Sequence, residues 1–234
     1  MDKYLYLLIN ITSILIPFIF SFYPKTSFFT TWKKLFPGYI IMTAIYLIWD
    51  IIFTRMGIWG FNDDYLIGVK IFFLPLEEWL FFLCIPFASL FIHYNKVRLQ
   101  PKWQLSKSKT KLTVKIIIAV LLLILFQNFG KLYTTTTFIT TILLLILVMD
   151  KNISLLQDFL VSYTFILIPF FIINGILTGS FIVDQIVWYN NDHNMGIRIG
   201  TIPFEDIFYG MTLFLGTIYL AEKINGTINI HSKK

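Results

Sequence analysis

The chain has 234 residues, of which 57% are hydrophobic, 18% are aromatic and only 14% are charged. A soluble domain has about a quarter charged residues and under half apolar ones, so this composition excludes an ordinary soluble enzyme and a disordered chain. The net charge of +6 comes from basic residues between long apolar runs, a pattern typical of membrane-flanking charges rather than of nucleic-acid binding. The single cysteine, Cys84, excludes a disulfide framework and a cysteine-based metal site.

Seven apolar segments approach the length of about 20 residues that a helix needs to cross a bilayer. In chain order they lie at 4–22, 36–54, 71–93, 112–129, 133–149, 155–178 and 200–222. No small-residue cleavage pattern follows the first segment, so we expect a retained span rather than a cleaved signal peptide. The predicted fold is an all-α integral membrane protein with about seven transmembrane helices.

The basic residues predict how these spans are oriented. Of the 19 lysines and arginines, 14 lie on one side, which carries the loops after spans 1, 3 and 5 and the C-terminus. Cytoplasmic loops are enriched in basic residues, so this side is expected to be cytoplasmic. The sequence therefore predicts a multi-pass protein of a bacterial-type plasma membrane, with its N-terminus outside and its C-terminus in the cytoplasm.

An internal repeat with an offset of 128 residues divides the chain. The sequence NDDYLIGVKIFFLPLEE at 62–78 aligns with NNDHNMGIRIGTIPFED at 190–206, and six positions are identical. An offset of four spans preserves direction across the membrane, so two parallel three-helix repeats are predicted, spans 1–3 and 5–7. The predicted organisation is a first repeat at 1–95, a basic loop with linking span 4 at 96–130, and a second repeat at 131–234.

Each repeat carries an acidic pair, Glu77-Glu78 or Glu205-Asp206, inside an apolar span. A carboxylate at this depth costs at least a few kcal/mol and usually faces a cavity or a partner. Successive helical residues point about 100° apart, so one acid of each pair is expected to face a shared cavity and the other to lie at its edge or bind a neighbouring helix. A neutral acid beside an ionised carboxylate is the arrangement that general acid–base chemistry requires.

Aromatic side chains surround both acidic pairs, and they suit protonation of an alkene followed by shelter of a carbocation. These aromatic residues are Phe72, Phe73, Trp79, Phe81, Phe82, Phe204, Phe208 and Tyr209. Packing and lipid contact remain the alternative for any single phenylalanine. Trp59, Trp188 and Tyr189 are assigned to an aromatic belt at the outer interface.

Other readings of the acids stay open at this point. They could pair with Lys70 and Arg198, the nearest basic residues, or form a proton or cation pathway in a transporter. The sequence contains no glycine-rich nucleotide motif, no metal-ligand spacing of histidines and no paired aspartate motif for magnesium diphosphate. We therefore expect no cofactor and no metal.

Two sets of motifs resemble the membrane-integral, heterodimer-type lycopene cyclases, with both halves fused in one chain. WGFN at 59–62 and PLEEWLFF at 75–82, with Asp50 before them, resemble the first half. NGILTG at 174–179, WYN at 188–190 and IPFEDIFY at 202–209 resemble the second half. The resemblance covers most of the chain.

This resemblance implies an enzyme of carotenoid biosynthesis, an intramolecular lyase or isomerase that cyclises lycopene or a related linear carotenoid without net redox change. It implies catalytic roles for the four acids, with Glu77 and Glu205 as first choices because they are identical in the repeat, and Glu78 and Asp206 as tuning groups or as the base. The substrate-binding residues implied are Asp50, Phe81, Phe82, Asn174, Arg198 and Tyr209. Membrane lipid, other carotenoid enzymes or a second copy of the chain are the expected partners, with no nucleic acid.

Two alternatives to this reading remain. One is a different membrane terpenoid cyclase or a prenyltransferase, although a prenyltransferase needs paired aspartate motifs that the sequence lacks. The other is a proton-coupled transporter, which would need polar groups reaching both faces of the membrane.

Overall fold

Seven α-helices form the part of the chain that the computed structural model describes, residues 2–226 and 228. They are α1 (Leu5–Ser21), α2 (Trp32–Arg55), α3 (Leu76–Leu99), α4 (Lys107–Asn128), α5 (Leu132–Lys151), α6 (Ile153–Leu177) and α7 (Phe204–Asn225). Six are long and apolar enough to cross a membrane, and α1 is a shorter apolar helix of 17 residues. The predicted all-α membrane fold is confirmed. The end of the predicted second repeat, 229–234, and with it the C-terminus, lies outside the described residues.

Short strands occupy the loops between α2 and α3 and between α6 and α7. Strands β2 (Lys70–Ile71) and β3 (Leu74–Pro75) form one hairpin, and β5 (Arg198–Ile199) and β6 (Ile202–Pro203) form another. Strand β1 (Trp59–Phe61) pairs antiparallel with β4 (Val187–Tyr189), so that Trp59 lies opposite Tyr189. The β1–β4 sheet, called the lid below, joins the two loops.

The hairpins correct the predicted starts of two spans. Spans 3 and 7 are predicted to begin at 71 and 200, whereas α3 begins at Leu76 and α7 at Phe204. The predicted spans begin too early because apolar residues such as Ile71, Leu74 and Ile202 lie in the hairpins and continue the hydropathy of the helices. Pro75 and Pro203 precede the helices directly, and a residue without a backbone N–H is well tolerated where a helix begins.

Helices α2 and α7 pack closely because glycines lie at their contact. A Cβ on Gly38 would come within 2.5 Å of the Ala221 backbone nitrogen, and one on Gly216 within 2.7 Å of Met42 Cε. No side chain larger than hydrogen fits these positions without a shift. The arrangement of the two halves as parallel repeats, and their boundaries, stay predictions.

Candidate active site

A largely enclosed cavity lies beneath the lid, where α3 and α7 begin and α2 and α6 end. The space between its walls, counted out to its open end, is about 700 Å³. Its polar wall includes the carboxyl groups of Asp50, Glu78 and Asp206. Aromatic side chains form much of the rest, namely Tyr6, Trp59, Phe61, Phe81, Phe82, Tyr133, Phe170, Tyr189, Tyr209 and Phe214.

Each acidic pair lies in the first turn of its helix, and its two members point in different directions. Glu77 and Glu78 follow Leu76 at the start of α3, and Glu205 and Asp206 follow Phe204 at the start of α7. All four are buried. Glu78 and Asp206 line the cavity, whereas Glu77 and Glu205 do not.

Glu77 and Glu205 bind the loop that precedes their own helix. The backbone N–H of Ile67 donates to Glu77 Oε1 at 2.7 Å, and that of Met195 donates to Glu205 Oε1 at 2.8 Å. The Thr134 hydroxyl also donates to Glu205 Oε1, at 2.6 Å. These contacts hold the loops that carry the hairpins, so the two glutamates support the site from behind its wall.

Glu78 belongs to a cluster that also contains Asp50, from α2. The Tyr6 hydroxyl donates to Glu78 Oε2, and the Trp59 indole N–H donates to Asp50 Oδ1. The buried Asp50 and Glu78 side chains line the same cavity. Asp50 Oδ2 has no N–H or O–H donor among the described residues. Two buried carboxyl groups that face one cavity cannot both ionise readily, so this pair is suited to sharing one proton.

Asp206 has a different environment from Glu78. The Tyr133 hydroxyl donates to Asp206 Oδ1 at 2.6 Å, and the Tyr189 hydroxyl donates to Oδ2 at 3.0 Å. Burial raises the pKa of Tyr189, in the lid, well above its usual range, and the Asp206 charge raises it further, so this hydroxyl keeps its proton and remains a donor. Donors to both oxygens solvate an ionised carboxylate.

Ring faces and edges surround the space between the two acid groups. The Tyr209 ring centroid lies 4.8 Å from that of Tyr46 and 5.2 Å from that of Trp49. The Trp59 and Tyr133 rings meet edge to face at 5.1 Å. Aromatic faces attract a cation, and the attraction grows to about 2 kcal/mol or more when water is excluded.

The predicted substrate-binding residues fall into two groups. Five line the cavity: Asp50, Phe81, Phe82, Asn174 and Tyr209. Arg198 does not; its guanidinium donates to the Thr201 carbonyl oxygen at 2.9 Å and to Asn191 Oδ1 at 3.1 Å. Its charged end thus stabilises the second hairpin and leaves the acids without a cationic partner on this side.

Two residues assigned from the sequence to an interfacial belt belong to the site instead. Trp59 is buried and bonded to Asp50, and Tyr189 is bonded to Asp206, because pairing of β1 with β4 turns both over the cavity. Tyr6 and Tyr133 were not identified from the sequence at all. The one sequence feature that points to them is their position near the starts of spans 1 and 5, on the same side of the membrane as the acidic pairs.

These features define a class: a membrane protein with paired carboxyl groups in an enclosed aromatic cavity, suited to acid–base chemistry on an apolar substrate. The model of the lycopene cyclase family matches residues 3–94 and 130–224, so the chain belongs to that family. Membership supports an enzyme that cyclises lycopene and implies a carotenoid substrate. Neither the curated proteins nor the solved structures contain a significant match to the chain.

Proposed function

We propose that the protein is a lycopene β-cyclase, which closes an open end of lycopene into a β-ring without net redox change. The observation that carries this proposal is the convergence of Asp50, Glu78 and Asp206 on one aromatic cavity. A hydrocarbon substrate offers no polar handle, so the polar groups of this cavity have only the reacting bonds to act on. The reaction belongs to the intramolecular lyases or isomerases.

The Asp50–Glu78 pair supplies the proton. Among the described residues, no cation lies beside the two buried carboxyls to stabilise a second negative charge, so one of them keeps a proton. A neutral carboxylic acid is the proton donor that an alkene requires. Glu78 also accepts from Tyr6, which holds its side chain in place against the cavity. Asp50 is held in the same way by the Trp59 indole.

Asp206 receives the proton at the end of the reaction. The hydroxyls of Tyr133 and Tyr189 donate to it and stabilise its carboxylate form. Glu205 is the other acid in the first turn of α7. Glu205 is turned away toward the Met195 backbone. The two acid groups of the cavity therefore take opposite roles.

The bond changes balance without a co-reactant. The acid pair gives a proton to C2 of the terminal C1=C2 bond, which leaves a tertiary cation at C1. The C5=C6 electron pair attacks C1, forms the C1–C6 bond and moves the cation to C5. Asp206 then removes the proton on C6, and that C–H electron pair forms the C5=C6 bond of the β-ring. The aromatic walls stabilise both cations.

Expression in a lycopene-accumulating bacterial host, followed by pigment chromatography, tests this function. The chain alone is expected to convert red lycopene to carotenoids with β-rings. Asp150→Asn serves as a matched control because Asp150 is an exposed acid paired with Lys151, far along the chain from the cavity residues. Unchanged lycopene beside well-accumulated protein would contradict the proposal, and ε-rings would contradict the assigned proton loss from C6.

The same proposal includes a plasma-membrane location, with the acid end of the bundle outside and the C-terminus in the cytoplasm. It is supported by the 14 of 19 basic residues on the other side. A C-terminal alkaline phosphatase fusion should be inactive in a bacterial host. Phosphatase activity in the periplasm would reverse the orientation.

A further inference from the structure

A narrow groove adjoins the active-site cavity and follows the bundle between α3 and α6. The space between its walls, counted out to its open side, is about 330 Å³, and the walls are apolar except for the Ser89 hydroxyl and the Asn174 amide. Four residues belong to both the cavity and the groove: Ile85, Phe170, Asn174 and Phe214. The groove and the cavity therefore lie side by side and share these walls.

The groove leads away from the acids along both helices. On α3 its walls run from Ile85 to Ile92, so its far end is 14 residues beyond Glu78, or about 21 Å at 1.5 Å per residue. On α6, which runs in the opposite direction, the walls extend back to Ile166. Ala88 and Ile92 are only partly buried, so the groove opens at its side.

Each of the two helices that form the groove contains a proline. Pro86 in α3 and Pro169 in α6 lie inside their helices, where a proline removes a backbone hydrogen bond and bends the helix. The carbonyl of Phe82, which Pro86 leaves without its helical donor, accepts instead from the Thr43 hydroxyl at 3.3 Å. The Phe82 carbonyl thus has a partner on the neighbouring helix α2.

The equivalent place in the other half of the chain is closed. With the 128-residue offset, Ala88 corresponds to Gly216 and Phe170 to Met42, and Met42 Cε lies directly against Gly216. Ile166 corresponds to Gly38, which packs on the backbone of α7. Among the described residues, the α3–α6 side therefore has a groove along the bundle where the corresponding α2–α7 side is filled.

We infer that the α3–α6 groove binds the polyene chain of the linear carotenoid whose end group occupies the acid cavity. This inference rests on the proposed function. A long, thin apolar chain matches a long, thin apolar groove, and the position of the groove beside the cavity means that only one end of the chain reaches the acids at a time. Rings at both ends then require release of the substrate and rebinding in the reverse direction.

The groove is tested with the full chain in phospholipid vesicles containing lycopene. Ala88→Trp fills the groove without touching a carboxyl and should lower lycopene conversion by about tenfold or more. Leu83→Trp is the matched control, because Leu83 lies on α3 but is 43% exposed on its outer face. It should leave conversion unchanged. Normal conversion by Ala88→Trp would overturn the inference.

A binding measurement keeps the test decisive if Ala88→Trp fails to accumulate. Photoreactive benzoylphenylalanine is placed at Ile92, or at Leu83 as a control, and illumination should link lycopene to position 92 but not to position 83. Equal labelling, no pigment label, or a lipid acyl chain as the only adduct at 92 would overturn the groove. If the pigment adduct forms but the wild-type protein produces no ring, the proposed function fails while the groove stands.

Discussion

The first turns of α3 and α7 have nearly the same sequence yet different surroundings. Glu77 and Glu205 are identical and do the same thing, since each accepts a backbone N–H from the residue ten positions before it. Glu78 and Asp206 differ and have different partners: one faces Asp50, the other accepts from two tyrosines. The acids that are identical across the repeat thus make the same structural contact, and the acids that differ have different partners at the cavity, as the proposed division into acid and base requires.

The largest effect is expected from the two acids that face the cavity. Glu78→Gln and Asp206→Asn each keep volume and hydrogen bonding but cannot transfer the proton, so ring formation should fall by about a hundred- to ten-thousandfold. Pigment conversion is measured together with protein yield in the membrane. Near-normal conversion by either variant would remove that residue from the acid–base role.

Asp50→Asn should lower conversion less, by about ten- to a hundredfold. The amide ends the sharing of a proton with Glu78 but leaves Glu78 itself in place beside Tyr6. Conversion is compared with that of Asp150→Asn under equal protein yield. A loss as large as that of Glu78→Gln would identify Asp50 as the proton donor.

Removing the two hydroxyls at Asp206 tests its role as the base. The double variant Tyr133→Phe with Tyr189→Phe loses both donors, and hydrogen bonds to a charged group are each worth about 1.5–3 kcal/mol, so a tenfold or greater loss of conversion is expected. Tyr39→Phe is the control, because that hydroxyl donates to the Leu83 carbonyl oxygen away from the cavity. Unchanged conversion in the double variant would contradict the assignment of Asp206 as the base and of Glu78 to the acid pair.

The smallest effect on activity is expected for the two acids behind the wall. Gln at position 77 or 205 can still accept the backbone N–H, so conversion should fall by less than about tenfold while the thermal midpoint drops, since a bond to a neutral amide is weaker by about 1 kcal/mol. The sequence alone favours the opposite ranking. A loss from Glu77→Gln matching that from Glu78→Gln would show that identity in the repeat was the better guide.

The sequence predicts the helices well because they depend on local hydropathy. It also predicts that acids from the two halves face one cavity, because the 128-residue offset of the repeat places them at the same depth. It does not predict which acid of each pair faces inward, since a rotation of about 100° reverses the choice. Tyr6 and Tyr133 were not identified from the sequence for a related reason. With the 128-residue offset, Tyr133 aligns with Leu5 and Tyr6 aligns with Thr134, so the two tyrosines are one position out of register with each other. The roles of Trp59 and Tyr189 depend on the pairing of strands that lie 130 positions apart at these two residues, which no local pattern encodes.

The lid has a consequence for the identity of the product. Trp59 and Phe61 on one strand and Val187 and Tyr189 on the other all line the cavity, so the paired strands form a roof over it. Under the proposed mechanism, a water molecule passing this roof would add its oxygen to the tertiary cation and release a proton, giving a hydroxylated open chain. The lid therefore separates a cyclase from a hydratase that works with the same acids. Weakening the β1–β4 pairing should shift the product from cyclic hydrocarbons to open-chain tertiary alcohols.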